Sequence, residues 1–149
     1  MKRKILFDLC RHYIRGTAKE AIVANKRIML CILTHSVIKG CGFADGSVYI
    51  STRMLKHMYD KKPAEEFDFL IDNAHKIIKY PTHVYKNRDG KRGDFCFVKE
   101  MGGIKYLCSI EVQKNGHELE VATAFRIRKE NYLNNYELLW SWRDDDPSS

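Results

Sequence analysis

The stretch HVYKNRDGKRGDFCFVKEMGGIKYLCSIEVQKNGHELEVATAFRI, residues 83–127, decides the fold. Apolar residues recur at every second position in His83–Asn87, Asp94–Glu100, Ile104–Gln113 and Glu118–Ile127. That is the period of a chain whose side chains alternate between the two faces of a sheet. The segments are joined by RDGKRG, MGG and KNGH, each with glycine where a hairpin turns. Ile104, Tyr106, Cys108, Ile110 and Val112 share one face; Lys105, Leu107, Ser109 and Glu111 share the other. One buried and one mostly polar face imply an antiparallel sheet with helices on a single side.

Working outward, Phe67, Leu70, Ile71, Ala74, Ile77 and Ile78 mark an amphipathic helix that Pro63 opens and Pro81 stops. Glu65, Glu66 and Asp68 complement its positive end. Before it, Val48–Ile50 reads as a short strand, and Ser51 or Thr52 offers an N-cap for a helix over Arg53–Tyr59. GCGFADG (40–46) is a connector, and Ile28–Val37 fits either a strand or a short buried helix. Lys2–Arg15 has a helical stripe that Gly16 ends. Downstream, Tyr132–Trp142 reads as a closing helix with Leu138, Leu139, Trp140 and Trp142 as packing residues, followed by a frayed DDDPSS tail. The expected class is α+β: N-terminal helices on one face of a four-stranded antiparallel sheet, with a closing C-terminal helix. Residues 1–47 form an N-terminal segment of the same domain, 48–143 its main body and 144–149 a flexible acidic tail.

The formal charge is +7, which points to an anionic partner. Lys76, Lys79, Lys86, Arg88, Lys91, Arg92 and Lys99 oppose only Asp89 and Asp94 between residues 76 and 99, a local positive patch. Five cysteines, an odd number with no C-x-x-C pair, disfavour both a disulfide framework and a zinc knuckle. No apolar run is long enough for a membrane span. The basic start lacks an uninterrupted apolar stretch and a small-residue cleavage site, so the expected location is the cytoplasm.

The nucleotide-cofactor and zinc-hydrolase motifs are missing, and no carboxylate cluster has metal-binding spacing, so neither cofactor nor metal is expected. RNA is cleavable without a metal because its own 2′-OH is a nucleophile. The protein must then take one proton, give another and place a cation at the phosphate. His57, His75, Arg92, Lys99, Glu111, Thr123, Arg126 and Tyr132 supply suitable groups around the sheet.

STRMLKHMYDKKPAEEFDFLIDNAHKIIKYPTHVYKN (51–87), the strand end EVATAFRI (120–127) and NYELLW (135–140) resemble the phage-associated nucleases grouped with barnase, EndoU, the colicin ribonuclease domains and RelE. The likeness lies in a helix with Leu-Lys-His, a second helix running into Ile-x-x-Tyr-Pro, four strands ending Val-Ala-Thr-Ala-Phe, and Leu-Leu-Trp. It spans about two-thirds of the chain, without residues 1–47. It implies an open sheet face that binds RNA, with His57 and Thr123 as site residues and Arg126 a third. No histidine falls on the late strands, since His117 lies in a turn. Thr123 shares strand parity with Leu119, Val121 and Phe125, so either a bulge re-aims it or Ala122 and Ala124 line the core.

The function expected from charge and resemblance together is a metal-independent endoribonuclease, toxin-like or phage-derived, acting by 2′-OH transesterification. His57 acts as general base or acid, Arg92 and Arg126 neutralise the phosphate, and Thr123 positions it. Lys86, Arg88, Lys91, Lys99 and Arg128 contact the RNA (tRNA or mRNA), and a toxin-like role adds a neutralising antitoxin or immunity protein as partner. The competing expectations are a non-catalytic RNA-binding module of the same fold and a phage or host protein-interaction domain.

Overall fold

The computed structural model describes residues 2–142, with side chains from Ile5 onward. The expected acidic tail, 144–149, lies outside the described residues. The elements run α1 (Lys2–Tyr13), β1 (Arg27–Ile32), α2 (His35–Cys41), β2 (Ser47–Ser51), α3 (Thr52–Lys61), α4 (Ala64–Lys79), β3 (His83–Lys86), β4 (Phe95–Met101), β5 (Ile104–Val112), β6 (Leu119–Arg126) and β7 (Leu138–Ser141).

The class is α+β, but the expected four-stranded antiparallel sheet is wrong. The sheet has seven strands in the order β1-β2-β6-β5-β4-β3-β7 and is mixed, because β2 runs parallel to β6. The β3–β6 meander stands as expected at its centre, each strand antiparallel to the next. Both of its edges are extended. On one side Val48 and Tyr49 of β2 pair with Leu119 and Glu120, and β1 adds beyond them. The ambiguous Ile28–Val37 run is split by Thr34. Its hydroxyl caps α2 by accepting from the Val37 N–H, so strand precedes and helix follows.

On the other side the expected closing helix is absent. Residues 129–136 form successive turns (Tyr132 N–H to Lys129 O, Asn134 N–H to Asn131 O, Tyr136 N–H to Leu133 O), and Asn135 adopts a left-handed φ of 72°. Asn131, Asn134 and Asn135 are poor helix formers because their amides compete for backbone partners. Leu138–Ser141 instead becomes an edge strand on β3. Trp140 rests on α2, its Nε1–H donating to Ser36 Oγ at 3.0 Å. A Cβ on Gly40 would stand only 2.6 Å from the Trp140 ring.

The main core lies between the sheet and α1, α3 and α4, filled by Leu6, Leu55, Phe67, Leu70, Ile77, Phe97, Cys108 and Ile110 among others. Cys10 and Cys96 are buried thiols, pushed up to about 12 by desolvation. The opposite sheet face is not open throughout. Tyr132, Leu133 and Tyr136 fold over Cys96, Val98 and Leu107 as a second, smaller apolar cluster. Among the described residues no helix is long and apolar enough to cross a membrane.

Candidate active site

β2 turns directly into α3, with the Ser51 hydroxyl accepting from the Met54 N–H at 3.2 Å. The helix buries Met54, Leu55 and Met58, which leaves Arg53 and His57, four residues apart, exposed on its outer side. Its back is held by the N-terminal segment. Lys56 Nζ donates to Ala18 O at 2.7 Å and Asp60 Oδ1 at 2.6 Å, and Gly16 N–H donates to Tyr59 Oη at 3.0 Å.

On the facing sheet, Glu111 of β5 and Glu120 of β6 stand directly opposite one another. Like charges in that position are unfavourable. Arg27 answers Glu120 at 3.0 Å and Glu118 at 2.9 Å, while stacking 3.8 Å from the Tyr49 ring centroid. Glu111 has no such answer: among the described residues its side chain, like that of His57, is committed to no hydrogen bond or ion pair. A local rule broken without compensation is a common mark of a functional position.

The β3–β4 loop brings the remaining cation. Asn87 Nδ2–H donates to the carbonyls of Arg92 (2.7 Å) and Gly93 (3.1 Å), and Asp94 Oδ2 accepts from the Val112 N–H at 2.8 Å. The loop is thereby pinned onto β5. Gly93, at φ 86°, crosses Ser109 so closely that a Cβ would stand 2.9 Å from its Oγ. His57, Arg53, Arg92, Glu111 and Glu120 consequently line one cleft of about 300 Å³, walled by Val121 and Ala122. An imidazole, an uncommitted carboxylate and two guanidiniums in one solvent-reached cleft can move protons on either side of a phosphate and neutralise it.

The family described as phage-Barnase-EndoU-ColicinE5/D-RelE like nuclease3 matches residues 32–135. The chain belongs to this family. The matched span contains every residue of the cleft, and the assignment supports a nuclease function. No curated protein and no solved structure matches the chain at a significant level.

The other expected site residues of this phage-type nuclease fall elsewhere. The β5–β6 register pairs Ser109 with Thr123 but Ile110 with Val121, so β6 bulges at Ala122. The bulge resolves the parity of Thr123. Leu119 and Val121 join the main core, whereas Thr123 turns to the opposite face beside Ser109, one residue past the cleft wall. Arg126 lines a separate hollow of about 430 Å³ with Lys105, Arg128 and Lys129. There the buried Glu66 accepts from Arg128 at 2.6 Å and from the Arg126 N–H at 3.1 Å. Burial pushes the Glu66 carboxyl up, but these donors together hold it below the ordinary glutamate value.

Lys86, Arg88 and Lys91 sit on the far side of the β3–β4 loop around another hollow. Arg88 lies 5.6 Å from the Tyr136 ring and Lys91 5.7 Å from Tyr132. Lys99 is on the helix side, its ammonium donating to Tyr80 O at 2.6 Å and pushed down by burial and then by Lys76. His75 on α4 and His83 on β3 are half-buried outside the cleft. Sequence reasoning put Arg53 on a helix but not at the site, and counted Glu111 without giving it a role. The signal for Arg53 was its four-residue spacing from His57. That for Glu111 was a lone carboxylate in an apolar strand.

Proposed function

We propose that the protein is an endoribonuclease that cleaves RNA without a metal ion. The 2′-oxygen attacks the adjacent phosphorus and the P–O5′ bond breaks, leaving a 2′,3′-cyclic phosphate and a 5′-hydroxyl. His57 and Glu111 share the two proton transfers, one accepting the 2′-OH proton and the other protonating the leaving 5′-oxygen. Arg53 and Arg92 neutralise the phosphate as charge develops. Thr123 and Arg126 lie beyond the cleft wall and serve flanking parts of the substrate rather than the reacting phosphate. The observation that carries this reading is the convergence of His57, Glu111, Arg53 and Arg92 on a single cleft from α3, β5 and the β3–β4 loop. A toxin-like role in the cytoplasm fits the same chemistry, and a neutralising protein would then cover this cleft.

The test is incubation of the purified protein with tRNA and total RNA in EDTA. Cyclic-phosphate products are expected, with His57→Ala and Glu111→Gln each slower by roughly 10²–10⁴-fold. Dependence on Mg²⁺, equal attack on DNA, or full activity in both variants would refute the mechanism. RNA binding without any product would mark a non-catalytic module instead.

A further inference from the structure

β2 ends at Ser51 and continues as α3, so beyond Glu120 no described strand pairs with that edge of β6. α3 runs beside this vacated edge. Along its first half Arg53 and His57 line the cleft together with Val121 and Ala122. Just past its end, Lys62 Nζ lies 5.4 Å from the Phe125 ring centroid. The two paths agree in length: nine helical residues from Arg53 to Lys62 and four strand residues from Val121 to Phe125 each cover about 13 Å. Helix and strand edge are therefore two walls that run in the same direction.

One wall is cationic along its length. Arg53, His57 and Lys61 are spaced four apart and all exposed, a single stripe on the outer side of α3. Lys61 has no ion pair among the described residues. Lys62 is partly buried against Phe125, and its ammonium is pushed down by desolvation. Past Phe125 come Arg126 and Arg128, both exposed; Arg128 engages the buried Glu66 at 2.6 Å, while the Arg126 guanidinium makes no hydrogen bond or ion pair among the described residues. Asp60 is likewise engaged, by Lys56. Half-buried Phe125 offers an aromatic surface between these cations.

We propose that this edge is a binding track for single-stranded RNA, running from the cleft past Lys61, Lys62 and Phe125 to the Arg126–Arg128 hollow. The proposal rests on the endoribonuclease reading and extends it to substrate class. A row of cations beside an aromatic face is what an unpaired strand needs, with phosphates on one side and a stacked base on the other. A duplex presents its bases stacked internally and is recognised across a much longer footprint than 13 Å or so.

The test uses a fluorescent single-stranded oligoribonucleotide, 2′-O-methylated throughout, in an anisotropy titration against salt. This probe has no nucleophile, so binding is read whether or not the protein cleaves. Lys61→Ala/Lys62→Ala should weaken binding about tenfold and lower the salt slope by about 1.4, the value for two lost single-strand phosphate contacts. Lys39→Ala/Lys114→Ala, which removes equal charge from exposed positions off the track, should bind as wild type. Lys61→Glu alone, at an exposed position, guards against misfolding of the double variant and should weaken binding as well. Unchanged affinity in both track variants, or a duplex of the same sequence bound as tightly as the single strand, overturns the track. Failure to cleave unmodified RNA would count against the ribonuclease reading alone.

Discussion

Replacing Lys56 by methionine tests whether α3 is held from behind. Lys56 is 7% exposed and Asp60 10% exposed, and the ammonium makes two short hydrogen bonds, to Asp60 and to Ala18 O. Removing one partner of a buried pair costs about 3–5 kcal/mol. This pair lies beneath the 16–20 loop rather than in the hydrophobic core, and the Ala18 carbonyl and the Glu20 N–H can turn to water. A loss of about 2–3 kcal/mol is therefore expected, from the lower end of that range and the 1.5–3 kcal/mol of a charged hydrogen bond. For a domain of this size that is a fall in melting temperature of roughly 4–12 °C.

Urea unfolding followed by circular dichroism is the assay, with Lys56→Met/Asp60→Leu as partner variant. Replacing both charges removes the orphaned carboxylate and should recover much of the loss. The pH dependence has a definite sign. The Lys56 hydrogen bond holds the Asp60 carboxyl below its ordinary value. Its stabilisation is thus complete above the unfolded aspartate value and is lost as pH falls through the lower folded one. The gap between wild type and Lys56→Met should accordingly narrow in acid. A single variant that melts with wild type at neutral pH would refute the reasoning. So would a gap that widens in acid.

Gly93→Ala combines a left-handed φ with a Cβ 2.9 Å from Ser109 Oγ. It should cost about 1–3 kcal/mol in a thermal melt and slow RNA cleavage by displacing Arg92, with an unshifted melt refuting the close crossing. Glu66 has a depressed carboxyl value, so its contribution is present above the unfolded glutamate value and is lost as pH falls through the folded one. Glu66→Gln should therefore be less stable than wild type at neutral pH and show a shallower acid transition, read by urea melts between neutral pH and acid. Asn87→Ala removes the two hydrogen bonds that its side-chain amide donates to the Arg92 and Gly93 carbonyls. Cleavage should fall while the melting temperature changes little, because the loop is exposed; a large loss of stability would mean the loop supports the fold rather than the cleft.

The central meander was legible because its signals are local. Period-two alternation and glycine turns act over a few residues, and β3–β6 appear within a residue or two of their expected ends. β7 was not legible in the same way. Leu138–Leu139–Trp140 is an apolar run that suits a helix or an edge strand, and the choice falls to the vacant edge of β3 and the groove at Gly40. The β2–β6 pair joins strands separated by two helices and three strands, a contact no local pattern announces. It is also the pair that turned an antiparallel expectation into a mixed sheet. At the site, His57 and Arg92 were named from chemistry and charge, but their meeting depends on a loop pinned by Asn87 and Asp94. Thr123 could not be aimed from parity, because a one-residue bulge reverses the face of everything beyond it.

The sequence by itself determined the α+β class, the four central strands, the amphipathic α4, the positive charge and the likeness to a phage nuclease family. The likeness rests on the motifs within residues 51–140; the rest follow from composition and short-range periodicity, which each segment carries whatever its neighbours do. Only the tertiary structure decided the seven-stranded sheet, the covering of its second face and the company His57 keeps. Strand edges and unpaired charges are satisfied by whatever the rest of the chain brings near. Glu120 found Arg27, Glu66 found Arg128, and Glu111 was left facing His57 and two arginines.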